Sequence, residues 1–242
     1  MLGATIRSRE RPKRGDIALY DELVDQWWHP QGPFMMLHWL AAARGRLVPE
    51  AARSGAVLVD LGCGAGLLAP HVADKGYRHI GVDRSLPSLR LAAEHGVEGV
   101  LGDVRATPLD EGCADVVVAG EILEHVPDLP GTVAEACRLL RPGGALVIDT
   151  LANTVLCRWV AIELAERVLR LAPRGIHDPK LLVDRGVLLE ECARHGVPLA
   201  LRGVRPSITD LAAWYARRRT AVRMVPTFST AMLFQGYGRK RS

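Results

Sequence analysis

Residues 57–67 read Val-Leu-Val-Asp-Leu-Gly-Cys-Gly-Ala-Gly-Leu, an apolar run that empties into three glycines at spacing two. The run reads as a buried strand. The glycines make a tight turn that lets a ligand lie close against the backbone, and a helix follows. A strand–turn–helix of this kind belongs to an open α/β sheet, which binds ligands beyond the carboxyl ends of its strands. Spacing narrows the choice of ligand. Dinucleotide loops run G-x-G-x-x-G. Here position 67 is Leu and the third glycine comes one residue early, which counts against NAD or FAD and so against a nicotinamide oxidoreductase. No Gly-Lys-Ser/Thr follows, so the loop is not a P-loop.

The middle of the chain keeps the same rhythm. Short apolar runs at 56–61, 79–83, 99–102, 115–119 and 145–150 alternate with helical patterns at 67–75, 86–95 and 133–140, and Arg141-Pro142-Gly143-Gly144 closes the last helix. Strands that alternate with helices predict crossovers and a parallel sheet with both faces covered. With 242 residues, 48% of them hydrophobic, a full core is available, and one domain with insertions is favoured over two. No apolar run reaches the roughly 18 to 20 residues that cross a bilayer. The Arg-rich Met1 to Arg14 stretch has no apolar stretch of a secretory signal. Five cysteines, none in a C-x-x-C pair, argue for reduced cytosolic thiols and against a disulfide framework or zinc knuckle. A formal charge of +4 is too weak to imply nucleic-acid binding, and Arg217-Arg218-Arg219 and Arg239-Lys240-Arg241 read as solvated charge. No nucleic-acid partner is expected.

The glycine loop resembles motif I of the class I S-adenosylmethionine-dependent methyltransferases, D/E-x-G-x-G-x-G, which Asp60, Gly62, Gly64 and Gly66 match. The resemblance implies a Rossmann-like α/β fold: a mostly parallel seven-stranded sheet with helices on both faces and helical lid segments. It implies S-adenosyl-L-methionine as cofactor. It also implies an acid at the end of the second strand, where a carboxylate accepts both ribose hydroxyls; Asp83 stands there in Ile80-Gly81-Val82-Asp83. Gly102-Asp103-Val104 supplies the acid expected near the adenine amino group, and Arg141 to Gly144 resembles the family's post-helix turn.

Gly120-Glu121-Ile122-Leu123-Glu124-His125 follows the fourth strand, at the rim where substrate and cofactor meet. If a helix starts at about Glu121, then Glu121, Glu124 and His125 share one face. Two readings stay open. The two carboxylates and the imidazole hold a divalent cation with an open shell, which activates a hydroxyl. Alternatively, no metal is present, His125 is the general base, and the two glutamates organise it. His177-Asp178 is a second base candidate, set against a loop-stabilising hydrogen bond.

E-x-x-E-H also carries a closer resemblance. Together with Trp27-Trp28-His29-Pro30-Gln31-Gly32-Pro33-Phe34…Leu37-His38 and Arg174-Gly175-Ile176-His177-Asp178, it resembles the ubiquinone-biosynthesis O-methyltransferases, over residues 18–238. This resemblance implies O-methylation of a phenolic, catechol-like or quinol small molecule. It implies magnesium at Glu121, Glu124 and His125, which are also the catalytic candidates. Cofactor contacts fall on Arg44, Asp60, Gly62, Cys63, Gly64, Gly66, Asp83, Arg84, Asp103, Val104 and Gly120. Gly120 is smaller than the family's usual residue, His29 replaces its Asp, and Ile176 its Thr. The alternatives are a secondary-metabolism methyltransferase acting on N or C, and a non-catalytic protein that binds S-adenosylmethionine.

Residues 1–15 are expected to form a mobile basic tail, and 16–242 one methyltransferase domain with lid helices over 17–47 and a helical insertion at 155–195. Val155 to Leu171 reads as a long amphipathic helix with Arg158, Arg167 and Arg170 beside apolar residues. Three readings apply to it: a lid that excludes water, a core-packed helix, or a peripheral contact with the inner membrane face of a cytoplasmic protein. Helix is also expected over 185–195 and strand over 198–204, with 208–219 either helical or irregular and a weakly alternating run over 229–238. The sequence sets no oligomeric state.

Overall fold

The computed structural model describes residues 20–160 and 176–241. The expected tail and the 161–171 part of the expected long helix lie outside the described residues.

Among the described residues eight strands form one sheet: β1 Ala56–Leu61, β2 Tyr77–Asp83, β3 Glu98–Leu101, β4 Ala114–Gly120, β5 Leu140–Leu151, β6 Leu199–Pro206, β7 Met224–Thr227 and β8 Leu233–Arg239. Their order is β3-β2-β1-β4-β5-β8-β6-β7. Pairing is parallel from β3 through β5 and antiparallel among β5, β8, β6 and β7. The expected seven strands are thus eight. The extra one, β7, is a four-residue edge strand in which Pro226 breaks the strand pattern, and an edge tolerates proline.

Alternation puts successive side chains on opposite faces, and both faces are apolar. Leu58, Val116, Val118 and Val147 pack with Leu68 and Val72 on one side. Val59, Leu61, Val117, Ala119, Leu146 and Ile148 pack on the other with Val133, Leu139 and Leu188. Such double burial explains why these strands read as unbroken apolar runs.

The helices are α1 Met35–Gly45, α2 Leu86–Glu94, α3 Leu129–Leu139, α4 Val155–Arg158, α5 Arg185–Arg194 and α6 Ile208–Tyr215. Side-chain oxygens cap several of them: Ser85 accepts from the Ser88 amide, Asp128 from that of Gly131, and Asp184 from those of Gly186 and Val187. The pattern at 67–75 is not one helix but two 3-10 turns, Ala69–His71 and Ala73–Lys75. Pro70 lacks an amide for a continuous ladder, and Gly76 ends the segment with φ +82. The strand after α3 begins at Leu140 rather than Ala145, so the Arg141–Gly144 turn is an irregularity inside β5, where the register against β4 shifts. Buried Asp115 braces this corner: it takes ion pairs from Arg53 at 2.7 Å and Arg141 at 2.6 Å and accepts the Val57 amide. All five cysteines are free. Among the described residues no helix is long and apolar enough to cross a membrane.

Candidate active site

The strand order reverses between β1 and β4, and the crevice that opens at their carboxyl ends is where an open α/β sheet takes its ligand. A cavity of about 340 Å³ lies there, lined among others by Tyr20, Phe34, Gly64, Asp83, Glu121 and His125. That size suits a small molecule.

The glycine loop forms one wall. Gly64 has φ +51, and a Cβ on it would sit 2.6 Å from the Trp27 ring. Gly62 has φ +71, and its Cβ would strike Ile122 at 2.6 Å. Left-handed backbone and lack of room both select glycine at these two positions. Gly66 does not line the cavity; its missing side chain makes room for Ala92 of α2 and for Val97.

Asp83, at the end of β2, is tied to the loop. Its Oδ2 accepts from the Gly64 amide and its Oδ1 from the Ser85 amide, each at 2.9 Å. Burial raises its pKa, while these backbone donors pull the other way. Each carboxylate oxygen keeps a lone pair for a further donor. Cys63, Arg84, Val104 and Asp60 also line the cavity. Asp103 does not; Arg105 holds its carboxylate at 2.7 Å and lowers its pKa to about 2. A buried His79 stands 3.6 Å behind Asp60.

Arg44 reaches across from α1 and meets Asp149 of β5 at 2.5 Å, with both side chains buried. Its path explains Gly120: a Cβ there would lie 1.5 Å from Arg44 Nη1. Arg44 takes the space that a larger residue at 120 would fill. Burial opposes its charge, but Asp149, Asp60 and Glu121 outweigh that and raise its pKa.

The expected helix at Glu121 is absent. Glu121 has φ +52, its amide donates to the Asp149 carbonyl at 2.8 Å, and only Leu123–His125 form a 3-10 turn. A non-glycine residue in that region costs of order 1–3 kcal/mol and persists only where its surroundings hold it. The three motif residues therefore do not share a helical face. Glu121 and Glu124 nonetheless lie side by side in the interior: burial first, then Glu124 and Asp149, push the Glu121 pKa well up. Glu124 is fully buried and accepts from Thr150 Oγ1 at 2.6 Å. Burial raises its pKa too.

His125 is a half-buried, neutral imidazole, its pKa pushed down to about 3 by loss of solvent and by His177. Its Nε2 shares a hydrogen bond of 3.2 Å with the Tyr20 hydroxyl, and its ring stacks on that of His177 at 5.6 Å. His177 thus joins the site from beyond residue 175. Sequence reasoning placed it as a candidate base, but had no sign that Glu124, His125 and His177 offer ligand atoms within 4.8 Å of one another.

Aromatic side chains of the N-terminal segment line the cavity. Trp27 stacks on Phe34 with centroids 4.3 Å apart, and Tyr20 stacks on both. Trp28 Nε1 donates to the Ala65 carbonyl at 3.0 Å, and its ring lies 3.6 Å from that of His95. His38 Nε2 donates to the Trp27 carbonyl at 2.8 Å. Tyr20, Asp149 and Thr150 are the site residues that sequence reasoning did not single out. Asp149 and Thr150 carry one readable signal, two polar residues at the end of an apolar strand.

Residues 59–148 match the family described as "Methyltransferase domain". The chain is 36% identical over 202 residues to the ubiquinone biosynthesis O-methyltransferase of Bordetella pertussis, covering 79% of this chain and 83% of that one. It is 35% identical over 215 residues to the enzyme of the same name from Bordetella avium, covering 83% and 89%. Among solved structures, an S-adenosylmethionine-dependent methyltransferase from Thermotoga maritima superposes with a TM-score of 0.64 at 17% identity, over 93% of this chain and 98% of that one.

Proposed function

Because this chain belongs to the family of the ubiquinone biosynthesis O-methyltransferases and is an S-adenosylmethionine-dependent methyltransferase, we propose that its acceptor is a phenolic hydroxyl on a catechol-like or quinol small molecule. One observation carries the reading: His125 and the glycine loop open into the same aromatic-walled cavity, and the imidazole already shares a hydrogen bond with a phenol, that of Tyr20. The protein's own phenol marks a seat that suits an aromatic hydroxyl.

S-adenosylmethionine supplies the methyl group: a carbon–oxygen bond forms in line as the carbon–sulfur bond breaks, and its electron pair stays on sulfur. The chain's part is placement and proton handling. Asp83, fixed by two backbone amides, offers its free lone pairs to the ribose hydroxyls. Gly62 and Gly64 leave the backbone bare beside the cofactor. Arg44, anchored on Asp149, sets a positive charge at the cavity floor that suits the carboxylate of the cofactor's amino-acid end. The ring nitrogen of His125 accepts the hydrogen bond of the acceptor hydroxyl and takes its proton. Trp27, Phe34 and Tyr20 exclude water from the transfer.

The test is transfer from methyl-labelled S-adenosylmethionine to catechols, quinols and amines. Label should enter catechol or quinol ethers, and His125→Ala should lower kcat by about 10²–10⁴. Label only in amines, or only on carbon, would remove the oxygen reading.

A peripheral membrane contact has one observation in its favour. Val155, Leu156 and Trp159 are 84%, 51% and 59% exposed, beside Arg158. Such a surface suits an anionic lipid interface and a lipophilic acceptor. Flotation with anionic liposomes checks it; no flotation of wild type, or equal flotation of Trp159→Ser, argues against it.

A further inference from the structure

Magnesium is the cation the family resemblance implies at Glu121, Glu124 and His125, and the geometry does not suit it. The ligand atoms gathered within 4.8 Å of one another belong to Glu124, His125 and His177. Glu121, whose backbone is left-handed, is not among them. Two further facts point to a missing partner. Glu124 Oε1 and His125 Nδ1, like Glu121 Oε1, are buried with no hydrogen-bond partner among the described residues. Buried polar atoms in such a state are rare and costly unless a ligand completes them.

The donor chemistry then narrows the ligand. Magnesium prefers an octahedron of oxygens and keeps several waters. Two imidazoles and one carboxylate form a nitrogen-rich set, suited to zinc, manganese, iron or cobalt in the divalent state. We propose that Glu124, His125 and His177 bind a borderline divalent transition-metal ion rather than magnesium, with Glu121 outside the ligand set as the neighbour of Glu124. The inference deepens the proposed function, whose site it shares, and changes one role in it: with His125 as a ligand, the ion and not the imidazole would lower the pKa of the acceptor hydroxyl. His177 enters the chemistry through it as a ligand, and the peptide after residue 175 becomes fastened to the β4 rim.

The experiment uses the full chain stripped with chelator and titrated calorimetrically with cobalt(II), manganese(II) or magnesium(II) alone. Almost any nitrogen–oxygen site prefers a transition metal to magnesium, so the variants decide. His177→Ala should weaken cobalt binding by at least about tenfold and shift its visible absorption band, as loss of a nitrogen ligand does. Glu121→Gln should weaken cobalt binding less than the His177 variant does and leave the absorption band in place, since it alters a neighbour of a ligand and not a ligand. Binding of S-adenosylhomocysteine by each variant reports that it has folded; if His177→Ala fails that check, His177→Gln takes its place. The proposal is overturned if no cation binds, if magnesium binds as tightly as cobalt, or if Glu121→Gln costs more than the His177 variant. Methyl transfer to catechols without any metal binding would sink this inference alone. Metal binding without oxygen methylation would sink the functional reading alone.

Discussion

Gly120 and Arg44 are an interlocked pair, and the sequence could show only half of it. The glycine at 120 is visible along the chain; that an arginine 76 positions earlier fills the space beside it is not. Gly120→Ala must drive the guanidinium off Asp149. A buried ion pair deprived of its geometry costs about 3–5 kcal/mol, and chemical denaturation should show a loss of that order together with weaker binding of S-adenosylhomocysteine. Asp83 was legible for the opposite reason: its chemistry needs only a carboxylate at the end of β2, which pattern alone locates. Asp83→Asn removes an acceptor of charge-assisted bonds worth about 1.5–3 kcal/mol, so calorimetry should find S-adenosylhomocysteine bound roughly 10- to 100-fold more weakly. The raised Asp83 pKa adds a pH signature. The folded chain holds that proton more tightly than the unfolded one, so the stability it contributes is full at acid pH and is lost as pH rises through the folded pKa. The Tm of Asp83→Asn relative to wild type should therefore be higher at pH 7 than at pH 4.

Strands β1, β2, β4 and β5 were readable because burial on both faces writes them as unbroken apolar runs, and helices α2 and α3 by their helical spacing, although α3 starts at Leu129, four residues before the expected Val133. Three stretches were not readable, each for a local reason. Pro70 splits the segment after the glycine loop into 3-10 turns; a left-handed Glu121 breaks the helix expected there; Pro226 hides β7. The N-terminal segment gave away its aromatic residues but not their target, because the Tyr20–His125 contact joins residues 105 apart. Tyr20→Phe isolates that contact. The ring still stacks on Trp27 and Phe34, and only the hydroxyl is lost. A neutral hydrogen bond is worth about 0.5–1.5 kcal/mol. Affinity for S-adenosylhomocysteine should stay within about twofold, which is under 0.5 kcal/mol, while turnover falls. Unchanged turnover would mean that the hydroxyl does not help set the imidazole.

The whole molecule is arranged around one topological fact. Strand order reverses between β1 and β4, and everything with chemistry in it converges on the opening: the glycine loop, Asp83, the Arg44–Asp149 pair and the Glu124–His125–His177 cluster. A parallel sheet was implied by the alternation of strands and helices; the order of its strands was not. The third member of the cluster was not, because it arrives from a distant stretch of chain that only folding brings home. All of these roles depend on the opening being a seat for a sulfonium nucleoside. The direct measurement is calorimetric titration of the wild-type chain with S-adenosylhomocysteine and, separately, with NADH. One equivalent of S-adenosylhomocysteine should bind, Asp83→Asn should weaken it, and NADH should give no heat of binding. Saturable binding of NADH, or S-adenosylhomocysteine binding that ignores the loss of the Asp83 carboxylate, would contradict the account.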